Sequence, residues 1–441
     1  MKCLLLAAGR GARLASGGGL KPLVPLLGLT LIERVISTAE KSGITDFYIV
    51  TGYNGDKIRT YLDKLNKNGK VNISYLTNSE WEKGNGISVL KARNVIKENF
   101  ILLMCDHIFD ETVLIKLQKE KIENNEVILA ADYNTETNKF VDADEATKIN
   151  VDDDGFILNI GKNLEKYNAY DTGIFLCSPS IFDAIEESIA VNGDSSLSDG
   201  IRVLAEKRKA KTFDIKGQFW IDIDNDHDLK KTEKILIGTL KKPSDGPISR
   251  YLNRPLSTRI SKHLLKTPVT PNIISFTSFI VSIIGALLFF LGGYLNLAVG
   301  GVLVQLSSIL DGCDGEIARL KFKGTEFGGW FDAVLDRYAD AIILFGLTYY
   351  VYLTSGNLGL FIGFIAIIGS FMNSYTADKY DGLMQKKVGV ERSYLRLGRD
   401  VRMFIIFVGA IIIQPFLALL AIAALMNLEN IRRILILYGN R

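Results

Sequence analysis

DGCDGEIARLKFKGTEFGGWFDAVLD, residues 311–336, sits between apolar runs, with GVLVQLSSIL before it and AIILFGLTYYVYL shortly after. Four aspartates, Asp311, Asp314, Asp332 and Asp336, fall inside what otherwise reads as oily helix. A carboxylate at the centre of a bilayer costs about 2.5–3.5 kcal/mol on the insertion scale, so such residues face a cavity and carry function. Asp311 and Asp314 lie one helical turn apart in one span, and Asp332 and Asp336 are spaced i, i+4 in the next, so each pair shares a helix face. Two antiparallel spans joined by a short loop therefore converge four carboxylates on one point. Their mutual repulsion demands a cation, and hard oxygen ligands in this number suit Mg²⁺ or another divalent metal such as Mn²⁺. Gly312, Gly315, Gly328 and Gly329 let backbone approach a ligand closely, and Arg319 is placed to meet a phosphate. Loop charges at a membrane surface would give the same composition, but stray aspartates within spans are rare.

Outward from this stretch the chain divides sharply. Of its 441 residues, those up to about Pro243 mix short apolar runs with many charges, whereas long apolar runs dominate from Asn272 onward. This is a soluble domain, 1–240, joined through a polar linker, KKPSDGP at 241–247, to a membrane domain, 248–441. Ile248, Leu252, Leu256, Ile260 and Leu264 recur at helical spacing among Arg and Lys, which predicts a juxtamembrane amphipathic helix over 248–266; a solvated linker helix has the same pattern. Six apolar spans follow, at roughly 272–292, 296–318, 329–353, 357–377, 400–413 and 415–430, the last two short and joined at Gln414-Pro415. Lys and Arg collect in RLKFK, in 379–402 and at Arg432-Arg433, while the intervening turns carry none. The positive-inside rule then puts both termini and the whole soluble domain on the cytosolic side of a multi-pass integral membrane protein.

Composition excludes several classes. The net charge is only +3, with no lysine-rich tail or basic aromatic stripe, so no nucleic-acid partner is expected. Cys3, Cys105, Cys177 and Cys313 are scattered, without disulfide or zinc spacing. MKCLLLAAGRG turns to glycine and arginine too soon for a signal-peptide core and reads as a first strand.

Alternating strand-like and helix-like runs through the first half predict a mostly parallel, Rossmann-like α/β sheet. The first strand ends in AAGRGARLASGGGLKPLVPL. Backbone N–H groups at Ala8, Gly9 and Gly11 can cradle phosphates, while Arg13 and Lys21 would neutralise a triphosphate. The third glycine of the dinucleotide fingerprint is missing, which puts NAD a distant second. Asp106 follows one apolar strand, and Asp222 and Asp224 follow another in WIDID; carboxylates at strand ends can hold Mg²⁺ on a nucleotide.

Two resemblances sharpen this reading. The spacing Asp311, Asp314-Gly315, Ala318-Arg319, Gly328, Asp332, Asp336 resembles the gapped motif of the CDP-alcohol phosphotransferase family, D-x-x-D-G-x-x-A-R-x8-G-x3-D-x3-D. The resemblance implies an all-α six-helix transmembrane fold, usually a homodimer, in which an acceptor hydroxyl attacks the phosphorus of a CDP-alcohol and CMP leaves. It implies metal ligation by Asp311, Asp314 and Asp332, with Asp336 as general base beside the same metal group. Thr270-Pro271-Asn272 is similar to the family's opening of the first span. Arg392, Arg399 and Arg402, within a cluster that includes Lys386, Lys387 and Arg396, are candidates for the acceptor phosphate; anchoring at the cytosolic face explains most of the same residues.

The first half, about 1–235, resembles the sugar-phosphate nucleotidyltransferase family, nearest its phosphoalcohol cytidylyltransferases, through G-x-G-x-R, Lys21-Pro22, Asp106 and W-x-D-x-D. This implies attack of a phosphomonoester on CTP with release of pyrophosphate, charge stabilisation by Lys21 and Arg13, and Mg²⁺ held by Asp106 with Asp222 or Asp224. Asn85 and Ser88 resemble the family's base-and-alcohol-facing segment, and Lys162, Asp171, Thr172 and Gly173 are candidates for the acceptor side; turn-making is an equal account of Asn85 and Thr172. The SGGG run before Lys21 departs from many members. One half would make a CDP-alcohol and the other consume it, which resembles fusions that activate inositol-1-phosphate with CTP and transfer CDP-inositol onto a second inositol-1-phosphate. The alternatives are a phospholipid head-group synthase that uses CDP-diacylglycerol or a lipid hydroxyl, and a non-catalytic nucleotide sensor on a membrane anchor. The completeness of both metal patterns disfavours the sensor.

Overall fold

The computed structural model describes residues 1–11, 14, 19–123, 125–135, 141–241, 245–388 and 397–439. They form two compact units, Met1–Ile235 and Leu236–Arg441.

In the first unit, β1 (Lys2–Ala7) has Cys3, Leu4 and Leu5 wholly buried. Such a strand belongs inside a sheet covered on both faces. With β2 (Asp46–Thr51), β3 (Asn72–Thr77) and β4 (Phe100–Met104) it forms a parallel array in the order β3-β2-β1-β4. Helix α1 (Leu31–Lys41), one of the crossovers, starts where the Thr30 side chain accepts a hydrogen bond from Glu33 N at 3.3 Å. The remainder consists of β5 (His107–Phe109), β6 (Val127–Asp132), β7 (Lys148–Val151), β8 (Ile157–Gly161), β9 (Ala169–Cys177), β10 (Ala210–Asp214) and β11 (Trp220–Asp222). Here the sheet becomes mixed: β9 runs antiparallel to β4, β6 and β7, and β7 to β8, while β10 runs parallel to β6. The parallel expectation thus describes the half that carries the glycine turn. Strands β5 and β11 pair apart from this sheet, with Asp222 directly opposite His107.

The second unit is helical: α2 (Arg254–Leu264), α3 (Pro271–Leu291), α4 (Tyr294–Leu320), α5 (Glu326–Val388), α6 (Arg399–Ile411) and α7 (Pro415–Gly439). Straight, the 63 residues of α5 would run about 95 Å, roughly three bilayer cores. The helix instead breaks at Gly356, whose φ of 62° suits glycine, and folds into a hairpin: a Cβ on Gly363 would lie 2.2 Å from the Thr348 side chain. Helices α3, α4 and α5 are long and apolar enough to cross a membrane. At 13 residues α6 is short of the roughly 20 a span needs. Crossings are close because small residues meet there, with a Cβ on Gly346 falling 2.8 Å from the Ala286 carbonyl and one on Gly300 the same distance from that of Gly285. Bulky apolar residues such as Leu291, Leu295, Leu353 and Phe361 point outward, as they do toward lipid.

One expectation changes. Asp245 and Gly246, inside the expected linker, are packed into the second unit: Asp245 accepts hydrogen bonds from Arg254 Nε and Nη2, both at 3.0 Å, and a Cβ on Gly246 would strike the Asp400 carboxylate. Helix α2 docks through its polar side. Arg254, Ser257 and Ser261 are buried against Glu316 of α4, while Leu252 and Leu256 remain exposed. Leu252 and Leu256 of the apolar stripe therefore face outward, the orientation an interfacial helix takes on a bilayer, while Ile248, Ile260 and Leu264 are half-buried.

Candidate active sites

The C-terminal ends of β1 and β4 open onto a cavity of about 420 Å³ in the first unit. Parallel sheets keep their ligand sites at this edge. Ala8, Gly9 and Gly11 line it after β1, and Gly11 has no substitute: its φ is 58° and a Cβ there would lie 2.2 Å from Lys21 Cβ. Arg13 lies outside the described residues. Lys21, largely buried, places Nζ 2.7 Å from Asp106 Oδ2, 2.7 Å from Asp224 Oδ1 and 4.0 Å from Asp222 Oδ1. Burial opposes its charge, but the three aspartates outweigh burial and hold the ammonium well above the usual lysine range. Burial likewise opposes the Asp106 charge, yet Lys21 and His107 hold that carboxyl far below its usual range.

His107, absent from the sequence reading, stands beside the carboxylates with Nδ1 3.0 Å from Asp106 Oδ1 and 3.8 Å from Asp222 Oδ1. Burial pulls its pKa down, but Asp222 and Asp106 raise it to about 9. Asp222 is pushed up to about 6, chiefly by burial, and its buried Oδ1 accepts no hydrogen bond among the described residues. Ligand atoms of Asp106, His107 and Asp222 all lie within 4.8 Å of one another, a donor set that fits a hard divalent cation. Of the two sequence candidates, Asp222 joins Asp106 in that group and Asp224 pairs with Lys21.

Asn85, Ser88, Lys162, Asp171 and Gly173 line the same cavity. Asn85 Oδ1 accepts from Leu197 N at 2.8 Å and Ser88 Oγ accepts from Asn78 Nδ2 at 3.0 Å, so both are held by the scaffold. Asp171 is raised to about 6 by burial. Thr172 corrects the expectation: it is wholly buried and its hydroxyl donates to the Ala130 carbonyl at 2.7 Å. Side chains alternate along β9, so with 171 and 173 on the cavity, 172 must face the core. Trp81, Asp142 and Glu145 also line the cavity, and no spacing signal in the sequence marks them.

In the second unit the carboxylates do converge. Oxygens of Asp311, Asp332 and Asp336 lie within 4.8 Å of one another. Asp314, one turn along α4, accepts hydrogen bonds from Ser275 Oγ of α3 and from Gly315 N. Arg319 lies over Gly315, where a Cβ would come 3.2 Å from its Nη1, and a Cβ on Gly328 would come 3.1 Å from Asn272 Oδ1. The opening of the first span thus abuts the glycine of the motif. Arg399 Nη1 sits 2.8 Å from Asp336 Oδ1 and 3.0 Å from Asp311 Oδ2.

The arginine cluster requires correction. Arg402 is wholly buried, its Nη2 donating to Asp340 Oδ2 at 2.5 Å and Ser374 Oγ at 3.2 Å, so it presents no surface to an acceptor phosphate. Arg399 faces the carboxylates. Arg392 lies outside the described residues. Asp340, Ser275 and Glu316 escaped the sequence reading, although Asp340 continues the i, i+4 series of Asp332 and Asp336. Carboxylates still outnumber guanidiniums in this seam, so the donor set fits a divalent cation as well.

Comparison with known proteins finds two family domains on the chain. Residues 3–207 match the MobA-like NTP transferase domain, and residues 268–436 match CDP-alcohol phosphatidyltransferase. A bifunctional IPC transferase and DIPP synthase of Rubrobacter xylanophilus is 35% identical over 99% of this chain and 96% of its own length. The chain belongs to the bifunctional IPC transferase and DIPP synthase family. A member of this family from Aquifex aeolicus is 34% identical, over 99% of this chain and 97% of its own. Among solved structures, the inositol-1-phosphate CTP transferase from T. maritima is 25% identical with a TM-score of 0.48, covering 53% of this chain and 94% of that one. As in its family, the chain is a transferase with a nucleotidyltransferase unit and a CDP-alcohol phosphotransferase unit, and its long apolar helices make it membrane-associated.

Proposed function

We propose that the chain is a two-step synthase. In the first unit the phosphate of inositol-1-phosphate attacks the α-phosphorus of CTP, giving CDP-inositol and pyrophosphate. In the second, a hydroxyl of another inositol-1-phosphate attacks the inositol-bearing phosphorus of CDP-inositol, giving phosphorylated di-inositol phosphate and CMP. The observation that carries this reading is the presence on one chain of two separate carboxylate-rich sites, one at a phosphate-cradling glycine turn and one inside apolar helices. The relatives' shared description as bifunctional supports it.

At the first site the glycine turn binds phosphate through its N–H groups, and Lys21 carries positive charge to the region where charge builds on the reacting phosphate. Lys162 and Asp171 stand on the acceptor side of the cavity, where Lys162 meets the alcohol phosphate and Asp171 accepts from the alcohol's hydroxyls. At the second site Asp336 accepts the proton of the acceptor hydroxyl, and Arg319 meets the nucleotide diphosphate. A divalent metal such as Mg²⁺, held by Asp106 and Asp222 in one unit and by Asp311, Asp314 and Asp332 in the other, would polarise phosphate oxygens. The helical unit presents six helices to the membrane, counting the two arms of α5, with the short α6 entering it without crossing alone, and both sites on the cytosolic side. Its outward apolar faces meet lipid and a second copy of the chain.

The test is direct. Purified chain with CTP, Mg²⁺ and inositol-1-phosphate, followed by ³¹P NMR, yields pyrophosphate, then transient CDP-inositol, then a phosphodiester bearing a phosphomonoester, with CMP. Transfer only to a lipid hydroxyl would sink this reading in favour of a phospholipid synthase. Lys21→Ala slows pyrophosphate release by about a hundred- to a thousandfold, the loss expected when one group stabilising transition-state charge is removed. Transfer from supplied CDP-inositol continues in that variant. Wild-type pyrophosphate release would move the first site elsewhere.

A second expectation concerns α2. Glu316 is wholly buried and accepts from Arg254 Nη1 at 2.9 Å, Ser257 Oγ at 2.5 Å and Ser261 Oγ at 2.7 Å. Arg254→Ala strips the guanidinium from that carboxylate and removes one partner of Asp245. It lowers stability by about 3–5 kcal/mol, as breaking one side of a buried ion pair does. Thermal denaturation of the full chain in detergent checks it; an unchanged midpoint would mean that the network contributes nothing.

A further inference from the structure

Asp340 is a fifth carboxylate in the helical seam, outside the gapped motif and one turn beyond Asp336 on α5. It is 2% exposed and engaged on both oxygens: Oδ1 accepts from Arg399 Nε at 3.0 Å and Oδ2 from Arg402 Nη2 at 2.5 Å. Arg402 in turn reaches Ser374 on the second arm of α5, and its Nη1 lies 3.7 Å from Met426 Sδ of α7, so it is gripped from both arms of α5 and from α7. A guanidinium is planar, and fixing Nε fixes where its remaining nitrogens point. With Nε tied to Asp340, Nη1 of Arg399 lies between Asp311 Oδ2 and Asp336 Oδ1, in ion-pair contact with both but hydrogen-bonded to neither.

We propose that Asp340, backed by Arg402, is a positioning residue of the transferase site: it aims Arg399 at Asp311 and Asp336, and Arg399 serves these carboxylates rather than the acceptor's phosphate. The inference rests on the transferase reading of the second unit. The guanidinium bridges one carboxylate from α4 and one from α5, setting their separation and offsetting their repulsion. Lysine cannot replace it. A single ammonium on a flexible stem has no second nitrogen to hold on Asp340 while it reaches both carboxylates.

The experiment uses the full chain in detergent, with CDP-inositol and inositol-1-phosphate supplied, and compares Arg399→Lys, Asp340→Asn and the double variant. Each single substitution lowers the kcat of transfer by about ten- to a hundredfold, as loss of residues that orient ligands does, and leaves both KM values within about twofold. Because Asp340 acts through Arg399, the double variant is no slower than the slower single. Arg399→Lys keeps the Asp340–Arg402 pair and melts near wild type, which separates positioning from folding should Asp340→Asn prove unstable. Pyrophosphate release from CTP by the first unit stays unchanged throughout.

A rise confined to the acceptor KM in Arg399→Lys would overturn the proposal and make Arg399 a phosphate ligand. Multiplicative losses in the double variant would overturn the coupling. If the wild type transfers from no CDP-alcohol, the functional reading falls instead, and the Mn²⁺ affinities of the same detergent-solubilised variants decide the coupling: losses that add in the double variant would reject it.

Discussion

Asp332→Asn reduces transfer from supplied CDP-inositol by at least about a hundred- to a thousandfold, the scale of losing a group that stabilises transition-state charge, while CTP-dependent pyrophosphate release proceeds at the wild-type rate. Asp332 has oxygens within 4.8 Å of those of Asp311 and Asp336. An amide keeps its size but withdraws one negative charge from the cation site. Because the cytidylyl site lies on separate residues in the other unit, CDP-inositol accumulates when the variant is given CTP and inositol-1-phosphate. Asp336→Asn blocks transfer too, yet retains more metal affinity, because a base need not be a ligand. Titration of Mn²⁺ into the detergent-solubilised variants, read by electron paramagnetic resonance, separates the two. Transfer at the wild-type rate in both would remove the carboxylate cluster from the mechanism, and loss of both half-reactions together would contradict two independent sites.

Arg402→Ala destabilises the helical unit by about 3–5 kcal/mol, because it leaves Asp340 charged, buried and without its shortest partner. Arg402 is wholly buried and Asp340 nearly so. The cost comes from the orphaned charge, not from a large net attraction, since two buried ions give up most of their mutual attraction in desolvation. The double replacement Asp340→Leu with Arg402→Met therefore regains much of the lost stability. Its transfer rate stays low, because Arg399 has then lost the carboxylate that aims it. Thermal midpoints and transfer rates of the single and double variants check both halves. Full recovery of rate with stability would show the pair to be structural only; no loss of stability on Arg402→Ala would show that water reaches the seam.

The sequence by itself determined the two-part division, the α/β and helical classes and the convergence of Asp311, Asp332 and Asp336. Those features are written in local periodicity: strands alternate every two residues, helices repeat every 3.6, and carboxylates at i, i+3 or i, i+4 share a face whatever surrounds them. The glycine turn and Lys21 were legible for the same reason, as both follow directly from one buried strand. Only tertiary structure decided what faced what. Thr172 reads from sequence as either a cavity or a turn residue, because sequence does not mark the register of β9, whose alternation between 171 and 173 turns it to the core. Arg402 reads as a cytosolic cation until α5 is seen to bring Asp340 and Ser374 around it. His107 becomes part of the first site through the pairing of β5 with β11, strands more than a hundred residues apart. Buried charges are stable only with partners, and those partners come from distant segments, so the roles of Arg399, Arg402, Asp340 and Glu316 became visible only once the helices were packed.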